Sequence, residues 1–563
     1  MTKLSEVEKI KEASNYLHGT IRESLADEVS GTLFAPDQQL IKFHGSYVQS
    51  DRDLEKERKA QKLEPLYSFM IRVRVPGGVA TPAQWLAMDE LASRYGMPTL
   101  KLTTRQAFEL HGILKANLQP AIREINESLL DTIAACGDVN RNVMCTVNPY
   151  ASLVHQEVQV AAEAISRHLT PHTTAYYNLW LNGEKVAGQG GEEEIEEPVY
   201  GKTYLPRKFK IALSIPPYND TDLFANDIGL IAIEEEGRLL GFNVSIGGGM
   251  GATFGDSTTY PRLGNVIGFA ETDQILDVCE KIVTIQRDFG NRENRRNARF
   301  KYTIDRLGLA FVQAALHERL GYELASARPF QFTTNGDAFG WVKGRDGYWY
   351  CSLFIEGGRV KDTEAYPLRE GLRAIASVHD GDFRLTGNQN LVIGRVSERL
   401  KPVIEQLLDR YGISERQQNS GLRRNSLACV ALNLCPLANA EAERYLPDLI
   451  TKIEALLSSH GLKDQDISIR MTGCPNGCAR PYLGEIGLVG RAPGKYNLYL
   501  GASFTGDRLN TLYREALDEA EILNALNPLF ARYAGERQAD EHFGDFVYRI
   551  EELKNRGIEE LRN

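Results

Sequence analysis

Hydrophobic and polar positions along the chain predict two similar units in which strands and helices alternate. Residues 68–130 contain an apolar strand, SFMIRVRV, then a helix, a second strand, TLKLTTRQAFELHGI, and a second helix. Thr81 is a suitable N-cap for the first helix, and Pro82 at the first helical position loses no required N–H. Residues 348–412 show the same order, with the strand WYCSLFIEGGRV, a helix over 366–379, the strand DFRLTGNQNLVIGRV and a closing helix.

The similarity between the two units continues beyond them. Both second strands carry Leu-Thr followed by a polar pair, and each unit leads into an Arg-Asn pair. The matched segments are Arg105-Gln106 with Asn388-Gln389, Arg141-Asn142 with Arg424-Asn425, and Asp227–Ile231 with Glu485–Val489. This pattern favours a duplicated chain with two α/β halves around a pseudo-twofold axis, between which ligands commonly bind. Chance recurrence of strand and turn motifs is the alternative.

Composition narrows the class of protein. A chain of 563 residues is too long for one core, so several domains are expected. The net charge of -10 gives no general attraction for nucleic acid or anionic membranes. No segment approaches about 18 uninterrupted apolar residues, and the first residues lack the apolar core of a signal peptide. We therefore expect a cytoplasmic protein with neither a nucleic-acid nor a membrane partner, and we interpret the acidic run Glu192–Glu197 as a solvated loop insertion.

Four of the eight cysteines are clustered in a C-x5-C and a C-P-N-G-C motif. They are Cys429, Cys435, Cys474 and Cys478. Clustered cysteines in a reducing compartment bind metal or perform redox chemistry more often than they form disulfides. A structural zinc site usually pairs its cysteines as C-x2-C, so the spacing favours a [4Fe–4S] cluster over zinc. Gly473 and Gly477 allow the backbone to curl closely around such a cluster.

C-x5-C followed at a distance by T-G-C-P-N-G-C resembles the signature of the sirohaem-dependent sulfite and nitrite reductases. The segments around Arg141, Leu205–Lys210 and Gln286–Arg292 are also similar to this family, so the resemblance extends over essentially the whole chain. It is strongest for the assimilatory, NADPH-dependent sulfite reductase branch. The resemblance implies that the four clustered cysteines hold the [4Fe–4S] cluster and that Cys478 also bridges it to the sirohaem iron.

The expected fold is α+β (mixed α/β) and internally duplicated, with two ferredoxin-like half-units and two larger α/β sirohaem and iron–sulfur domains around the pseudo-twofold axis. The expected divisions are an N-terminal extension (1–66), half-unit 1 (67–130), a sirohaem- and substrate-binding domain (131–345), half-unit 2 (346–412) and an iron–sulfur and sirohaem-binding domain (413–563).

A pocket for sulfite needs several cations, because the anion loses its hydration there and its oxygens leave as water. The resemblance places Arg72, Arg141, Lys208 and Lys210 around the substrate, as the catalytic residues. Lys208 and Lys210, two residues apart on an extended segment, point to the same face. Arginine suits fixed oxyanion recognition, whereas lysine can also transfer a proton. We therefore assign binding mainly to the arginines, and binding with protonation to the lysines.

Sirohaem carries eight carboxylates and requires a basic cavity. The contacts that the resemblance implies, besides Cys478, are Lys101, Arg105, His111, Asn142, Arg287, Arg292, Arg295, Arg296 and Asn476. Relatives often have Arg at the position of Lys101, and a satisfied core histidine is the alternative for His111.

The activity that the resemblance implies is the six-electron reduction of sulfite to sulfide, for cysteine biosynthesis. Gly247–Gly251 does not match G-x-G-x-x-G, so we interpret it as backbone close to a bulky group or as a turn. Electrons would then come from a separate flavoprotein (alpha) subunit with FAD and FMN, or alternatively from a ferredoxin. Reduction of nitrite to ammonia and a non-catalytic iron–sulfur scaffold are the alternative functions. Lys210 favours sulfite, because the nitrite branch commonly has Asn there.

Overall fold

The computed structural model describes residues 4–150, 152–173, 175 and 197–550. Its strands form four five-stranded sheets and one short two-stranded ribbon, with helices packed on the sheets. Within the described residues, no helix has both the length and the apolar character needed to cross a membrane.

The elements follow one another in four groups along the chain. Up to residue 127 they are α1 (Glu6–Ala13), α2 (Ile21–Ala26), α3 (Asp37–Leu40), β1 (Ser46–Ser50), α4 (Glu55–Ala60), β2 (Tyr67–Val73), β3 (Val79–Ala80), α5 (Pro82–Tyr95), β4 (Leu100–Leu102), β5 (Phe108–Ile113) and α6 (Leu118–Glu127). The second group is β6 (Met144–Cys145), α7 (Val154–His168), β7 (Ile211–Ser214), β8 (Ile228–Glu235), β9 (Arg238–Ile246), β10 (Asn265–Glu271), α8 (Ile275–Phe289), α9 (Phe300–Leu307) and α10 (Leu309–Leu320).

The remaining two groups are the counterparts of the first two, with differences in their short elements. The third is β11 (Gly340–Lys343), β12 (Trp349–Leu353), β13 (Arg359–Val360), β14 (Asp362–Thr363), β15 (Tyr366–Pro367), α11 (Leu368–Val378), β16 (Asp382–Leu385), β17 (Leu391–Val396) and α12 (Lys401–Arg410). The fourth is α13 (Gly421–Arg424), β18 (Ser426–Ala428), α14 (Leu446–Ser459), β19 (Ile469–Thr472), β20 (Ile486–Ala492), β21 (Lys495–Leu500), β22 (Thr511–Leu517), α15 (Glu519–Glu536) and α16 (Phe543–Arg549).

The two ferredoxin-like units exchange a short strand. Their sheets have the orders β1-β2-β5-β4-β13 and β11-β12-β17-β16-β3, so each takes its last strand from the other unit. Trp85 of α5 lies at this junction, with its ring centroid 5.7 Å from that of Phe108 and 4.9 Å from that of Phe383. The reciprocal exchange gives the two units one shared core.

The prediction of a single second strand in each unit was wrong. The segments 99–113 and 382–396 each form a hairpin, β4–β5 and β16–β17. The polar pair that both repeats carry makes the turn, because Gln106 and Gln389 adopt left-handed backbone angles of φ +50° and φ +65°. Polar residues at the turn thus interrupt what the apolar pattern presents as one long strand.

The two larger sheets share one topology. The sheets have the orders β6-β7-β8-β9-β10 and β18-β19-β20-β21-β22. In each order the first three strands pair with one another in parallel, and the last two pairings are antiparallel. The matched motifs at 227–231 and 485–489 lead into β8 and β20, the equivalent central strands. The duplication predicted from these motifs is therefore present in the fold.

Two segments depart from the sequence-based description. β1, within the predicted N-terminal extension, pairs antiparallel with β2 and belongs to the first ferredoxin-like sheet. Glu192–Glu196 lie outside the described residues, but Glu197 is buried and accepts a hydrogen bond of 3.0 Å from the backbone N–H of His172. The prediction of a solvated run was wrong for Glu197, because its side chain is buried and its carboxylate binds a backbone amide.

Candidate functional site

The four clustered cysteines lie on two neighbouring loops of the last large sheet. Cys429 and Cys435 follow β18, and Cys474 and Cys478 follow β19, the adjacent parallel strand. The carboxyl ends of adjacent parallel strands lie at one edge of a sheet, where ligands commonly bind. The backbone N–H of Gly473 donates to Cys429 Sγ over 3.3 Å and joins the two loops.

The four thiols interact through space. Burial, and next the Cys478 thiol, raise the pKa of Cys435 to about 12. Burial and the other three thiols also raise the pKa of Cys429 well above its usual value. Buried thiols in such proximity ionise readily only when metal cations compensate their charge.

The four thiols do not form a site for a single metal ion among the described residues. Within the part of the chain that the structure describes, no three His, Cys, Asp or Glu side chains are grouped closely enough to surround one metal ion. A [4Fe–4S] cluster places each thiolate on a different iron, so its ligands stand farther apart than those of zinc. The donor set thus fits a cluster better than zinc.

A glycine-rich loop from the first half contacts the C-P-N-G-C loop. Ala252 N–H donates to the carbonyl of Pro475 over 2.9 Å, and a Cβ on Gly477, which has φ +65°, would lie 3.1 Å from Met250 O. Lys301 holds this loop by donating from Nζ to the carbonyls of Gly249 (3.1 Å) and Gly251 (2.7 Å). The segment Gly247–Gly251 is therefore a packing loop between the halves.

A cavity of about 300 Å³ lies where these loops meet. Its polar lining consists mainly of Arg207, Lys208, Arg295, Arg296, Arg299 and Asn476. Carboxylates of Asp138, Asp256 and Asp227 neutralise Arg295, Arg296 and Arg299. Arg207 and Lys208 form no ion pair with any of the described residues, so the cavity has an excess of positive charge that suits an anion.

The pKa values of Lys208 and Lys210 are both lower than that of an ordinary lysine. Burial, and next the positive charge of Arg207, lower the pKa of Lys208 to about 7. Burial, and next Lys208, hold the pKa of Lys210 well below its usual value. Among the described residues neither ammonium donates a hydrogen bond or contacts a carboxylate. Both lysines can therefore accept an anionic partner. Lys208 can release a proton near neutral pH, and Lys210 releases its proton more readily than an ordinary lysine.

The two predicted arginines are held by neighbouring groups. Arg72 Nε donates to Glu109 Oε1 over 2.8 Å, and Nη1 contacts Cys136 Sγ at 3.0 Å. Arg141 Nε donates to Ala135 O over 2.8 Å. The ring centroid of Tyr47 lies 6.0 Å from the guanidinium carbon of Arg72. Burial raises the pKa of Tyr47, and the positive charges of Arg141, Arg72 and Arg207 partly oppose this rise. The charges of both arginines and of the cavity residue Arg207 thus act on Tyr47, although neither Arg72 nor Arg141 lines the cavity.

Three predicted sirohaem contacts do not line the cavity, and each has a partner in the protein, although His111 Nε2 and Asn142 Oδ1 are buried without a hydrogen-bond partner among the described residues. Lys101 Nζ pairs with Glu443 Oε2 at 2.6 Å, and His111 Nδ1 lies 3.2 Å from Gln49 Oε1. Asn142 Nδ2 donates to three backbone carbonyls, those of Val75, Arg105 and Gln106, at 2.8, 3.0 and 3.0 Å. These side chains brace the first unit.

The other predicted contacts divide between the cavity and its surroundings. Arg105 donates from Nη1 to Asn226 Oδ1 over 2.7 Å, while its buried Nε has no hydrogen-bond partner among the described residues. Arg287 pairs with Asp288 at 2.7 Å and Arg292 with Glu8 at 2.6 Å, away from the cavity lining. Arg295, Arg296 and Asn476 do line the cavity.

Four residues at or beside the site were missed by the sequence analysis: Tyr47, Cys136, Arg207 and Arg299. Arg207 precedes Lys208 directly, and Arg299 lies in a basic run, so both had a signal in the sequence. Tyr47 and Cys136 had none, because the pairing of β1 with β2 is what brings Tyr47 to Arg72.

Comparison with known families assigns the class. The family described as "Nitrite and sulphite reductase 4Fe-4S domain" matches residues 161–324, and "Nitrite/Sulfite reductase ferredoxin-like half domain" matches 61–128 and 342–411. The chain therefore belongs to the nitrite and sulfite reductase family. The match to the 4Fe-4S domain covers β7–β10 of the first large sheet, whereas the four clustered cysteines lie on its duplicated counterpart.

Individual relatives match over nearly the whole chain. A Staphylococcus saprophyticus protein named "Sulfite reductase [NADPH] hemoprotein beta-component" is 58% identical, covering 98% of this chain and 97% of the relative. An Anoxybacillus flavithermus protein of the same name is 60% identical, covering 97% and 95%. The solved "Structure of Mycobacterium tuberculosis NirA protein" has a TM-score of 0.79 at 24% identity, covering 98% and 97%. This likeness confirms the predicted mixed α/β fold.

Proposed function

We propose that the chain reduces sulfite to sulfide with six electrons in assimilatory sulfur metabolism and cysteine biosynthesis. The observation that carries the proposal is the cationic cavity, with Lys208 in its lining, beside the loop that holds Cys474 and Cys478. Relatives about 60% identical over the full chain carry sulfite, NADPH and haemoprotein in their names, which supports sulfite over nitrite.

The residues fit the two groups that this reaction needs. Cys429, Cys435, Cys474 and Cys478 would hold the [4Fe–4S] cluster, and the exposed Cys478 would also bridge it to the iron of sirohaem. The carboxylates of sirohaem would meet the cationic lining of the cavity, namely Arg207, Arg295, Arg296 and Arg299, with Asn476 nearby. When bound, the two groups supply electrons to the substrate.

The cations of this chain bind and orient the anion. At about 4 Å and an effective dielectric constant of about 20, each unit charge pair contributes about 4 kcal/mol before desolvation. Arg72 and Arg141 provide a fixed charge, because guanidinium groups stay protonated. Lys208, with its pKa lowered to about 7, holds a proton that it can pass to an oxygen leaving as water. Lys210 adds a second proton donor.

The beta-component name of the relatives implies a partner that supplies electrons. We propose a flavoprotein alpha subunit with FAD and FMN in this role, with ferredoxin as the alternative donor. The cytoplasmic location and the five domain divisions stay predictions.

Steady-state reduction with a chemically reduced viologen tests the proposal. Purified holoenzyme should show a higher kcat/KM for sulfite than for nitrite, with sulfide as the product. A preference for nitrite, with ammonia as the product, would replace the substrate while leaving the fold and ligands intact. Activity on neither anion, in protein whose absorption spectrum shows sirohaem, would support the non-catalytic scaffold.

A further inference from the structure

The segment directly after β1 lies against the loop that carries the first two cysteines. The backbone N–H of Arg52 donates to Asn433 O over 3.2 Å, and Asn433 Nδ2 donates to Asp51 Oδ1 over 2.9 Å. Arg444 pairs with Asp53 at 2.7 Å. Three consecutive residues of the N-terminal extension thus hold a loop more than 380 positions away in sequence.

The side chain of Arg52 makes the most direct contact. Its Nη1 donates to the carbonyl of Cys435 over 3.2 Å and to that of Ala438 over 2.6 Å. Arg52 forms no ion pair with a carboxylate of the described residues, so its charge serves these carbonyls. The loop between Cys429 and Tyr445 contains neither helix nor strand, and its carbonyls therefore need donors from elsewhere.

We propose that Arg52 is a positioning residue for the iron–sulfur cluster, which fixes Cys435 and places a positive charge beside it. The inference rests on the proposed function, because it takes Cys435 as a cluster ligand. Groups that hold a metal ligand from outside typically change metal affinity about 10- to 100-fold when they are removed. A cation beside an anionic cluster also favours its reduced state, which raises the reduction potential.

Arg52→Met removes both the hydrogen bonds to the cysteine loop and the positive charge, whereas Arg52→Lys keeps the charge. Arg58→Met is the matched control. Arg58 belongs to the same extension, but its Nε donates to Glu64 O over 2.7 Å, away from the cysteines. The readouts on anaerobic holoenzyme are the rate of iron release to a ferrous chelator and the midpoint potential of the cluster. R52M should release iron about 10- to 100-fold faster and have a lower potential. R52K should keep a potential near that of the wild type, and R58M should match the wild type in both.

Release rates and potentials of R52M equal to those of R58M would overturn the inference. If R52M does not fold, R52Q and R52K are compared instead, and equal potentials in that pair would overturn the electrostatic role. Wild-type protein that contains no iron and no acid-labile sulfide would overturn the proposed function itself. A wild-type protein with an intact cluster, together with an R52M variant of unchanged release rate, would overturn the role of Arg52 alone.

Discussion

Asp222→Asn should destabilise the protein strongly, because one buried carboxylate serves two arginines. Asp222 Oδ2 accepts from Arg470 Nη1 over 2.6 Å, and the same carboxylate accepts from Arg480 Nε. Asp222 and Arg470 are each about 1% exposed. Arg480 stands two residues after Cys478, so the carboxylate of the first half orients the end of the cysteine loop in the second.

The magnitude follows from burial and charge. Each Asp–Arg pair is worth about 4 kcal/mol at about 4 Å and an effective dielectric constant of about 20, before desolvation. Removing one partner of a buried pair costs about 3–5 kcal/mol, because a charge is left unpaired. Asn keeps the side-chain volume, and it tolerates the left-handed backbone of Asp222, which has φ +46°. The loss therefore reports the charge rather than packing or backbone strain.

Thermal unfolding at a fixed scan rate measures the effect, with Asp380→Asn as the control. Asp380 pairs with Arg399 at 3.5 Å, and both side chains are mostly exposed, so D380N should cost at most about 1 kcal/mol. For a chain of this length that unfolds as one unit, D222N should lower the Tm by about 3–4 °C. Equal Tm values for D222N and D380N would refute the argument.

The pH dependence gives an additional check on the same pair. Burial alone would raise the pKa of Asp222, but Arg470 and Arg480 hold it below the ordinary value of 3.8. A carboxylate with a lowered pKa stabilises the fold above the pKa of the unfolded chain, and this stability is lost as the pH falls through the folded value. The difference between wild type and D222N should thus be constant above about pH 5 and shrink only in stronger acid.

Three further predictions concern the proposed chemistry. Lys208→Arg keeps the positive charge but removes a group with a pKa of about 7. In the wild type, kcat/KM for sulfite should fall as the pH rises through 7, whereas in K208R it should fall only at higher pH. A pH profile that is the same in both proteins would exclude Lys208 as the titrating group. Lys210→Asn should reduce kcat/KM more for sulfite than for nitrite, because a dianion loses about twice the Coulomb energy of a monoanion; equal losses would show that Lys210 does not set the preference. Cys478→Ser should abolish sulfite turnover in the viologen assay because the bridging thiolate is lost, and full activity in C478S would contradict that role.

Parts of the fold were visible in the sequence because they depend on local patterns. The helix beginning at Pro82 was predicted from its cap, and the structure confirms a capping box between Thr81 and Gln84. The hairpins were missed, since apolar residues on both sides of a turn look like one strand. The exchange of β3 and β13 also had no signal, because strands of two residues pair only when the two units are already adjacent.

The sequence by itself determined the chemistry that is available and the duplication. The spacing of four cysteines, and the family resemblance that marks Lys208 and Lys210, name the donors, because thiolates and cations have the same chemistry wherever they lie. Only the tertiary structure decided which donors meet. It directs Lys101 to Glu443 and Arg292 to Glu8, leaves Lys208 without an ion-pair partner among the described residues, and brings Arg52 to Cys435. The physical reason is that a buried charge costs free energy unless it is paired, and the fold alone determines which partners are within reach.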